Sequence, residues 1–315
     1  MYIVTGGMGF IGSNIVRKLN ELGITDITVI DHAGSSDKYL NLSDCVICDY
    51  YEREDFIELL EKGRFDRPLD AVFHQGACAV TTEPDGSFMI RNNFSFSKSL
   101  LSLAVTSKTP FVYASSAAVY GTSCSFKENS RENEKPVNVY GYSKLLFDQY
   151  VRHLMPHIDI PVTGLRYFNV YGPGEFHKGS MASMVYQTFS QLDTKGYVDL
   201  FEGSGGYADG EQIRDFIHVD DVVRVNLFFA LEHSSKGIFN VGTGKGRTFN
   251  EMAHQWIDCL NKGEIRYREM PEVIKERYQS FTEADLESLR CAGYDKPFIS
   301  LEEGISRYHH YLASH

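Results

Sequence analysis

Tyr140 and Lys144 stand one helical turn apart in the run Val139-Tyr140-Gly141-Tyr142-Ser143-Lys144. Residues at this spacing share a helix face and are close enough to act together. A free tyrosine ionises near pH ~10 and is a poor base at neutral pH. A neighbouring ammonium stabilises the phenolate and lowers that value. The pair therefore has the chemistry of a proton shuttle that takes a proton from an alcohol. Many exposed helices carry the same two residues with no chemistry attached, so the pair gains meaning only from what surrounds it.

Upstream, Gly6, Gly9 and Gly12 fall in Gly6-Gly7-Met8-Gly9-Phe10-Ile11-Gly12. Glycine lets a backbone approach a pyrophosphate, and a helix start supplies amide donors and a positive dipole end. A lone glycine triplet reads equally well as a structural turn. This one follows an apolar run at 2–5 and opens a helix with Ile11, Ile15, Leu19 and Leu22 on one stripe. An acid, Asp31, follows about 20 residues later, as a dinucleotide turn requires. Together with the Tyr/Lys pair this predicts alcohol oxidation beside a nicotinamide. Asp31 suits a ribose diol and favours NAD. Lys38 and Arg53 are near enough in sequence to reach a 2′-phosphate, which favours NADP, and each reads equally as solvated surface charge. The choice stays open at this level.

The elements that must position these residues follow from the apolar pattern. Runs at 2–5, 27–31, 45–48, 71–74, 110–116 and 162–166 read as strands, and helical patterns after Gly12 and at 52–62, 91–107 and 140–155 alternate with them. This alternation predicts an α/β fold, a parallel doubly wound sheet of Rossmann type. Beyond residue 170 the alternation weakens. A glycine-rich loop at 203–210 precedes a strand and helix start at 214–221 and a strand at 239–242. The remainder reads as largely helical, with a short strand at 265–267. The expected organisation is a dinucleotide-binding domain of 1–170 and 214–242, interleaved with a smaller, mainly helical substrate domain of 171–213 and 243–315.

Composition narrows the class. The chain of 315 residues is long enough for two lobes. A net charge of −11 argues against a nucleic-acid surface, though local cations still suit a small anionic substrate. No apolar run approaches the ~20 residues of a membrane span. The N-terminal run enters a strand without a basic region or cleavage site, so a cytoplasmic protein is expected. Six cysteines lie at 45, 48, 78, 124, 259 and 291. Cys45 and Cys48 match C-x-x-C, but a strand there would turn them to opposite faces, so neither a redox nor a metal pair is expected. The cysteines read as buried filler in a reducing compartment.

The chain resembles the extended short-chain dehydrogenase/reductases of the NAD-dependent epimerase/dehydratase family and, among them, the ADP-heptose 6-epimerases. Thr5-Gly6-Gly7, Phe10-Ile11-Gly12-Ser13-Asn14, Tyr113-Ala114-Ser115-Ser116-Ala117-Ala118 and Asn138-Val139-Tyr140-Gly141-Tyr142-Ser143-Lys144 are shared by many extended reductases. More diagnostic are Arg166-Tyr167-Phe168-Asn169-Val170-Tyr171-Gly172-Pro173, Phe201-Glu202-Gly203-Ser204 and Arg277-Tyr278-Gln279. His177-Lys178-Gly179-Ser180-Met181-Ala182-Ser183 is the most specific to the heptose epimerases.

The resemblance implies an isomerase that interconverts ADP-D-glycero- and ADP-L-glycero-D-manno-heptose at C6, for lipopolysaccharide core precursors. It implies a homo-oligomer, a pentamer by analogy. Gly6, Gly9, Phe10, Ile11, Gly12, Asp31, His32, Lys38, Arg53, Gln75, Gly76, Ala77, Cys78, Ala79, Asn92 and Val170 would line NADP or NAD. Lys144 would hold the nicotinamide ribose and tune Tyr140, and Ser116 would bond the reacting hydroxyl. Asn169, Ser180, Gln187, Phe201, Glu202, Gly203, Ser204, Arg214 and Tyr278 would hold the ADP-sugar. Arg214 suits a diphosphate because its planar fork makes paired bonds. Lys178 would touch the cofactor and act as a second acid/base. Gln75 stands where the family usually has an acid and Gln187 where a histidine is common. The loop at 205–212 reads as longer than usual.

Inversion by hydride removal and return gives a physical reason for two proton carriers. The cofactor cannot change sides, so the sugar must turn, and its oxygen then meets a different group. Three other readings share the cofactor features. A UDP-hexose epimerase is not expected to carry the 177–183 segment. A dehydratase needs an acidic pair beside the catalytic hydroxyl, where this chain has Ala117 and Ala118. A non-catalytic NADP sensor has no use for the Tyr/Lys pair.

Overall fold

The computed structural model describes residues 1–34, 37–275 and 278–314. Seven parallel strands form the central sheet, in the order Gly237–Val241, Val162–Tyr167, Phe111–Ser116, Ala71–His74, Tyr2–Thr5, Ile27–Asp31, Asp49–Glu52. In chain order, β1 (Tyr2–Thr5) leads through α1 (Phe10–Glu21) to β2 (Ile27–Asp31), then to β3 (Asp49–Glu52) and α2 (Arg53–Glu61). The chain then crosses to the other side of β1 with β4 (Ala71–His74). A short α3 (Gly86–Ile90) runs through a π-helical turn, Arg91–Ser95, into α4 (Phe96–Thr106). Next come β5 (Phe111–Ser116), α5 (Val139–Leu154) and β6 (Val162–Tyr167). Tyr2 pairs with Ile27 on one side and Ala71 on the other, so the strand order reverses about β1. In open α/β sheets the crevice beyond such a reversal is where ligands bind.

The second half adds β7 (Asn169–Tyr171), α6 (Met184–Lys195), β8 (Tyr197–Phe201), β9 (Ile213–Arg214), β10 (Phe216–His218) and α7 (Val219–Leu227). It ends with β11 (Gly237–Val241), β12 (Arg247–Thr248), α8 (Phe249–Leu260), β13 (Glu264–Arg268), α9 (Glu272–Lys275), α10 (Glu287–Cys291) and α11 (Leu301–Ser314). Apolar clusters fill both faces of the sheet, one under α1 and α7 and one under α2, α4 and α5. A separate cluster of Trp256, Leu192, Met252, Ile305 and Tyr308 joins α6, α8 and α11 beside the parallel pair β8 and β13.

Two sequence expectations need correction. Residues 45–48 are not a strand. The third strand is Asp49–Glu52, a polar edge strand, whereas Cys45 and Ile47 lean against the core under α1. The apolar run reflected that packing and not sheet pairing. Nor are the cysteines buried filler: Cys48, Cys124 and Cys291 are exposed and Cys45, Cys78 and Cys259 only partly covered. Helix α6 and strand β8 lie where the sequence alternation weakens, although Val198 and Leu200 alternate inward along β8. No described helix is long and apolar enough to cross a membrane.

A buried ionic network fixes α5 against the sheet. Arg166 on β6 is fully buried and pairs with Asp148 of α5 at 2.9 Å and with Glu134. Asp148 also accepts from the Tyr113 hydroxyl at 2.9 Å and the Ser115 hydroxyl at 3.0 Å. Removing one member of such a set leaves an uncompensated buried charge. Asp148 lies one turn beyond Lys144, so the network sets the rotation of the helix that carries Tyr140 and Lys144.

Candidate active site

The glycine turn is tight for steric reasons. Gly6 has φ +64°, and a Cβ on Gly12 would stand 2.1 Å from the Gly6 carbonyl oxygen. The turn puts the first amides of α1 at the crevice beyond β1 and β4. Asp31, at the end of β2, accepts from the Met8 amide at 2.8 Å, its neighbour His32's amide at 2.7 Å and Lys38 Nζ at 2.7 Å.

A cleft of about 850 Å³ runs past this turn, and a recess of about 230 Å³ opens beside it. The recess is lined by Asp31, His32, Lys38, Arg53, Gly76, Ala77, Cys78 and Asn92. The cleft takes in Gly6, Gly9, Phe10, Ile11, Gly12, Gln75 and Ala79 on the turn side. Ser116, Tyr140, Lys144, Asn169, Val170 and Lys178 line it farther along. All the residues expected to touch the cofactor, and all four expected to act on protons, thus face these two spaces. A separate depression of about 310 Å³ lies between Arg17, Arg224 and Arg307, each of which already has a carboxylate partner.

Around the reacting groups the bonds are specific. Ser116 Oγ accepts from the Ala118 amide at 3.1 Å, which caps the short 3₁₀ turn Ala117–Val119. Burial pushes the Tyr140 phenol's pKa up, and the nearby Ser116 hydroxyl draws it down by less. Lys144 is buried, donates to the Ala114 carbonyl at 2.8 Å, and burial lowers it to about 8 while Asp148 opposes the fall. The expected lowering of Tyr140 by Lys144 is not what this arrangement does, because the ammonium is turned to a carbonyl. Lys178 rides on the 3₁₀ segment Phe176–Met181 with Nζ over the Phe10 ring at 5.5 Å. Burial lowers Lys178, and Glu175 acts against that.

The remaining expected sugar contacts are not gathered in this cleft. Arg214 sits between Phe249 at 5.5 Å and Tyr278 at 4.9 Å, and Tyr278 meets Phe201 edge-on at 6.0 Å. This aromatic-flanked guanidinium adjoins the cleft through Phe216, which lines it and packs on Phe249. Glu202, Gly203 and Ser204 begin the neighbouring loop. That loop is tied down by Gly203 to Asp209, Gln212 to Glu202 and Asn250 to Asp209. Ser180 is exposed, and the Gln187 amide is spent on the carbonyls of Ser180 and Ala182. Arg277 lies outside the described residues. Gln75 uses both ends of its amide: it donates to Asn226 at 3.0 Å and accepts from the Tyr167 hydroxyl at 2.9 Å. An ionised acid there would lose the bond to Asn226 Oδ1.

Sequence reasoning missed a second tier of residues. Asn93, on the π-helical turn, takes the Cys78 amide at 2.8 Å and donates to the Cys78 carbonyl at 2.9 Å and to Ser143 Oγ at 2.9 Å. Ser143 in turn donates to the Tyr140 carbonyl at 2.7 Å. Ser97 donates to the Asn93 carbonyl, so it must accept from His74 Nε2 at 2.7 Å. His74 Nδ1 then accepts from Thr5, whose oxygen takes the Gly76 amide at 3.0 Å. One continuous network therefore joins the cofactor-side loop to the start of α5. The only sequence signal was an adjacent Asn92-Asn93 pair inside an apolar-striped helix, and π turns are frequent at functional sites.

The model of the NAD dependent epimerase/dehydratase family matches residues 2–242. The chain belongs to that family. A protein of Alkalilimnicola ehrlichii named ADP-L-glycero-D-manno-heptose-6-epimerase is 54% identical over 308 residues, covering 98% of this chain and 96% of that relative. The crystal structure of the Helicobacter pylori ADP-L-glycero-D-manno-heptose-6-epimerase is similar with a TM-score of 0.84. It is 29% identical, over 100% of this chain and 96% of that one. A Thermotoga maritima UDP-glucose 4-epimerase, solved with UDP-glucose, has a TM-score of 0.82 and 29% identity over 99% of this chain and 98% of its own.

Proposed function

We propose that this chain is an ADP-heptose 6-epimerase that interconverts ADP-D-glycero- and ADP-L-glycero-D-manno-heptose with bound NADP. The observation that carries the reading is a pair of proton carriers, Tyr140 and Lys178, reaching one cleft from two different elements. A plain dehydrogenase needs one. The relative at 54% identity carries the name of this activity.

The residues fit a dinucleotide: the Gly6–Gly12 turn leaves no room for side chains, and α1 aims its free amides at the crevice. When bound, the nicotinamide supplies a hydride acceptor and, later in the cycle, a hydride donor. Asp31 accepts from the Met8 and His32 amides and from Lys38, and Lys38 and Arg53 both face the recess, where Lys38 would exchange Asp31 for a 2′-phosphate. Lys144 holds the ribose, Ser116 orients the C6 hydroxyl, and Tyr140 takes its proton. After the sugar turns, Lys178 serves the oxygen on the other face. Which of the two begins depends on the direction of reaction. Asn169, Arg214, Phe201 and Tyr278 anchor the ADP portion, with the Glu202–Ser204 stretch, Ser180 and Gln187 at its edge. Residues 1–170 and 214–242 serve the cofactor, and 171–213 and 243–315 the sugar nucleotide. By resemblance the enzyme works in the cytoplasm as a homopentamer.

The test is NMR of ADP-D-glycero-D-manno-heptose with the purified protein and no added cofactor. The C6 epimer is expected, because the cofactor is regenerated each cycle and stays bound. No epimer, even with NADP or NAD added, refutes the substrate.

A further inference from the structure

We propose that Glu175 is the positioning residue of Lys178: its carboxylate ties together the two ends of the segment that carries the lysine and provides the negative charge that faces it. The proposal rests on Lys178 being the second acid/base. Glu175 itself touches neither expected ligand.

The geometry is unusual for a carboxylate. Glu175 is 0% exposed, and among the described residues no cation lies within ion-pair distance of it. It is held by donors only. The Gly172 amide reaches it at 3.1 Å, the Ser183 amide at 2.5 Å and the Ser183 hydroxyl at 2.9 Å. The phenol of Tyr308, on α11, faces it, and burial and Glu175 together push that phenol's pKa up. Gly172 and Ser183 bracket the whole segment, so these bonds close it like a clasp. A charged carboxylate accepts from all of these donors at once: burial pushes its pKa up, while the hydrogen bonds and Lys178 draw it down.

Inside the clasp the chain turns on glycines. Gly174 and Gly179 have φ of +94° and +52°, and nothing lies within 4 Å of where a Gly179 Cβ would be. Asn14 and Asn41 hold the Pro173 and Gly174 carbonyls at 2.8 and 2.9 Å, Asn41 also bonds His177 Nδ1 at 3.3 Å, and Gln187 holds the Ser180 and Ala182 carbonyls, but among these groups the Glu175 carboxylate is what joins the two ends. The lysine's place thus depends on the clasp. Its surroundings are the Phe10 ring from α1 and His177 beside it, with Lys38 and Asp31 acting on His177 from the turn side. Tyr186 of α6 and Tyr308 of α11 face Glu175. Among these groups, Glu175 is the anion that opposes the loss of charge on Lys178.

The experiment reads Lys178 directly. Competitive acetylation across pH, followed by mass spectrometry of the Lys178 peptide, gives the midpoint of its titration in wild type, Glu175→Gln and Ser183→Ala. The Glu175→Gln midpoint is expected to fall by about one pH unit, the scale of a nearby opposite charge. Ser183→Ala keeps the charge and should leave the midpoint in place. Both variants should lose kcat by at least about tenfold with the sugar-nucleotide KM nearly unchanged, and only Glu175→Gln should move a limb of the kcat–pH profile, toward lower pH. An unchanged midpoint in folded Glu175→Gln overturns the proposal. If that variant does not fold, Ser183→Ala and Tyr308→Phe carry the test, and wild-type kcat in both overturns it. A wild type that does not epimerise the ADP-heptose would refute the functional reading instead, since the labelling needs no turnover.

Discussion

Replacing Asn93 by alanine isolates the tie between the cofactor-side loop and the catalytic helix. The substitution removes the bonds from the Cys78 amide, to the Cys78 carbonyl and to Ser143 Oγ, together with a weaker contact to Met89 Sδ. Each is worth about 1 kcal/mol net, and a buried partner left unpaired costs about 1–3 kcal/mol. Water in the cleft can reach Cys78, which is only partly covered, but not Ser143. The expected loss is therefore about 2–4 kcal/mol. Urea unfolding followed by circular dichroism reads that loss, with the lone Trp256 reporting the α6–α8–α11 cluster separately. Because Cys78 lines the recess, part of the loss appears as weaker cofactor retention, about tenfold for each 1.4 kcal/mol. Nucleotide content after gel filtration measures it. Asn92→Ala is the matched control. Its amide bonds only the Phe88 carbonyl, at 2.7 Å, so retention should drop with stability changed by less than about 1 kcal/mol. An Asn93→Ala protein with wild-type stability and a full complement of nucleotide would refute the coupling.

Tyr140→Phe should abolish epimerisation while leaving the nucleotide bound, since only the phenolic oxygen is lost; turnover at the wild-type rate would remove Tyr140 from the chemistry. Lys38→Ala should weaken NADP much more than NAD in equilibrium titrations, and equal losses would place the 2′-phosphate elsewhere. His74 is buried and its pKa is lowered to about 3, against about 6.5 unfolded. Between those values the unfolded chain binds a proton that the folded chain does not, so stability falls as pH drops from 6.5 toward 3, by up to about 1.4 kcal/mol per unit. Melting curves of wild type and His74→Gln across that window should diverge, with the variant the flatter; parallel curves would assign the acid loss to other groups. Arg166→Met should cost about 3–5 kcal/mol by leaving Asp148 without its cation in the interior, while Glu134 keeps Arg152. Guanidinium unfolding measures it, and a loss below about 1 kcal/mol would mean the pair is solvated.

The strands of the sheet were legible because burial on both faces leaves near-continuous apolar runs, as in β1, β4 and β6. Edge strand β3 was not, since Asp49-Tyr50-Tyr51-Glu52 is half-buried and polar, and the apolar run before it served α1 instead. Motif residues were legible where spacing alone carries the chemistry, as for Gly6, Gly9 and Gly12 or Tyr140 and Lys144. Asn93, His74 and Glu175 were not, because their work lies in contacts far apart in the chain. His74 reads as the last residue of an apolar strand, and only the fold brings it between Thr5 and Ser97. Gln75 looked like a departure at a cofactor contact, yet its amide spans Tyr167 and Asn226 behind the crevice.

The two proton carriers are held in physically different ways, and the proposed reaction gives a reason. Tyr140 sits on a helix fixed at both ends of its working turn, by Asn93 through Ser143 and by Arg166 through Asp148. Hydride transfer demands reacting atoms within about 3–3.5 Å and correctly aligned, so the carrier beside the nicotinamide has to be rigid. Lys178 sits on a segment whose ends are clasped and whose middle turns on glycines with positive φ. The sugar must turn between the two half-reactions without leaving. A carrier on a separate segment, reaching the cleft from outside α5, can meet the oxygen after that turn, whereas a second carrier on α5 would meet only the first orientation. Stiffening the middle of the segment, by Gly179→Ala for example, should therefore slow turnover through strain at φ +52° while leaving cofactor binding alone. Equal slowing of both would place the segment in cofactor binding and not in the second proton transfer.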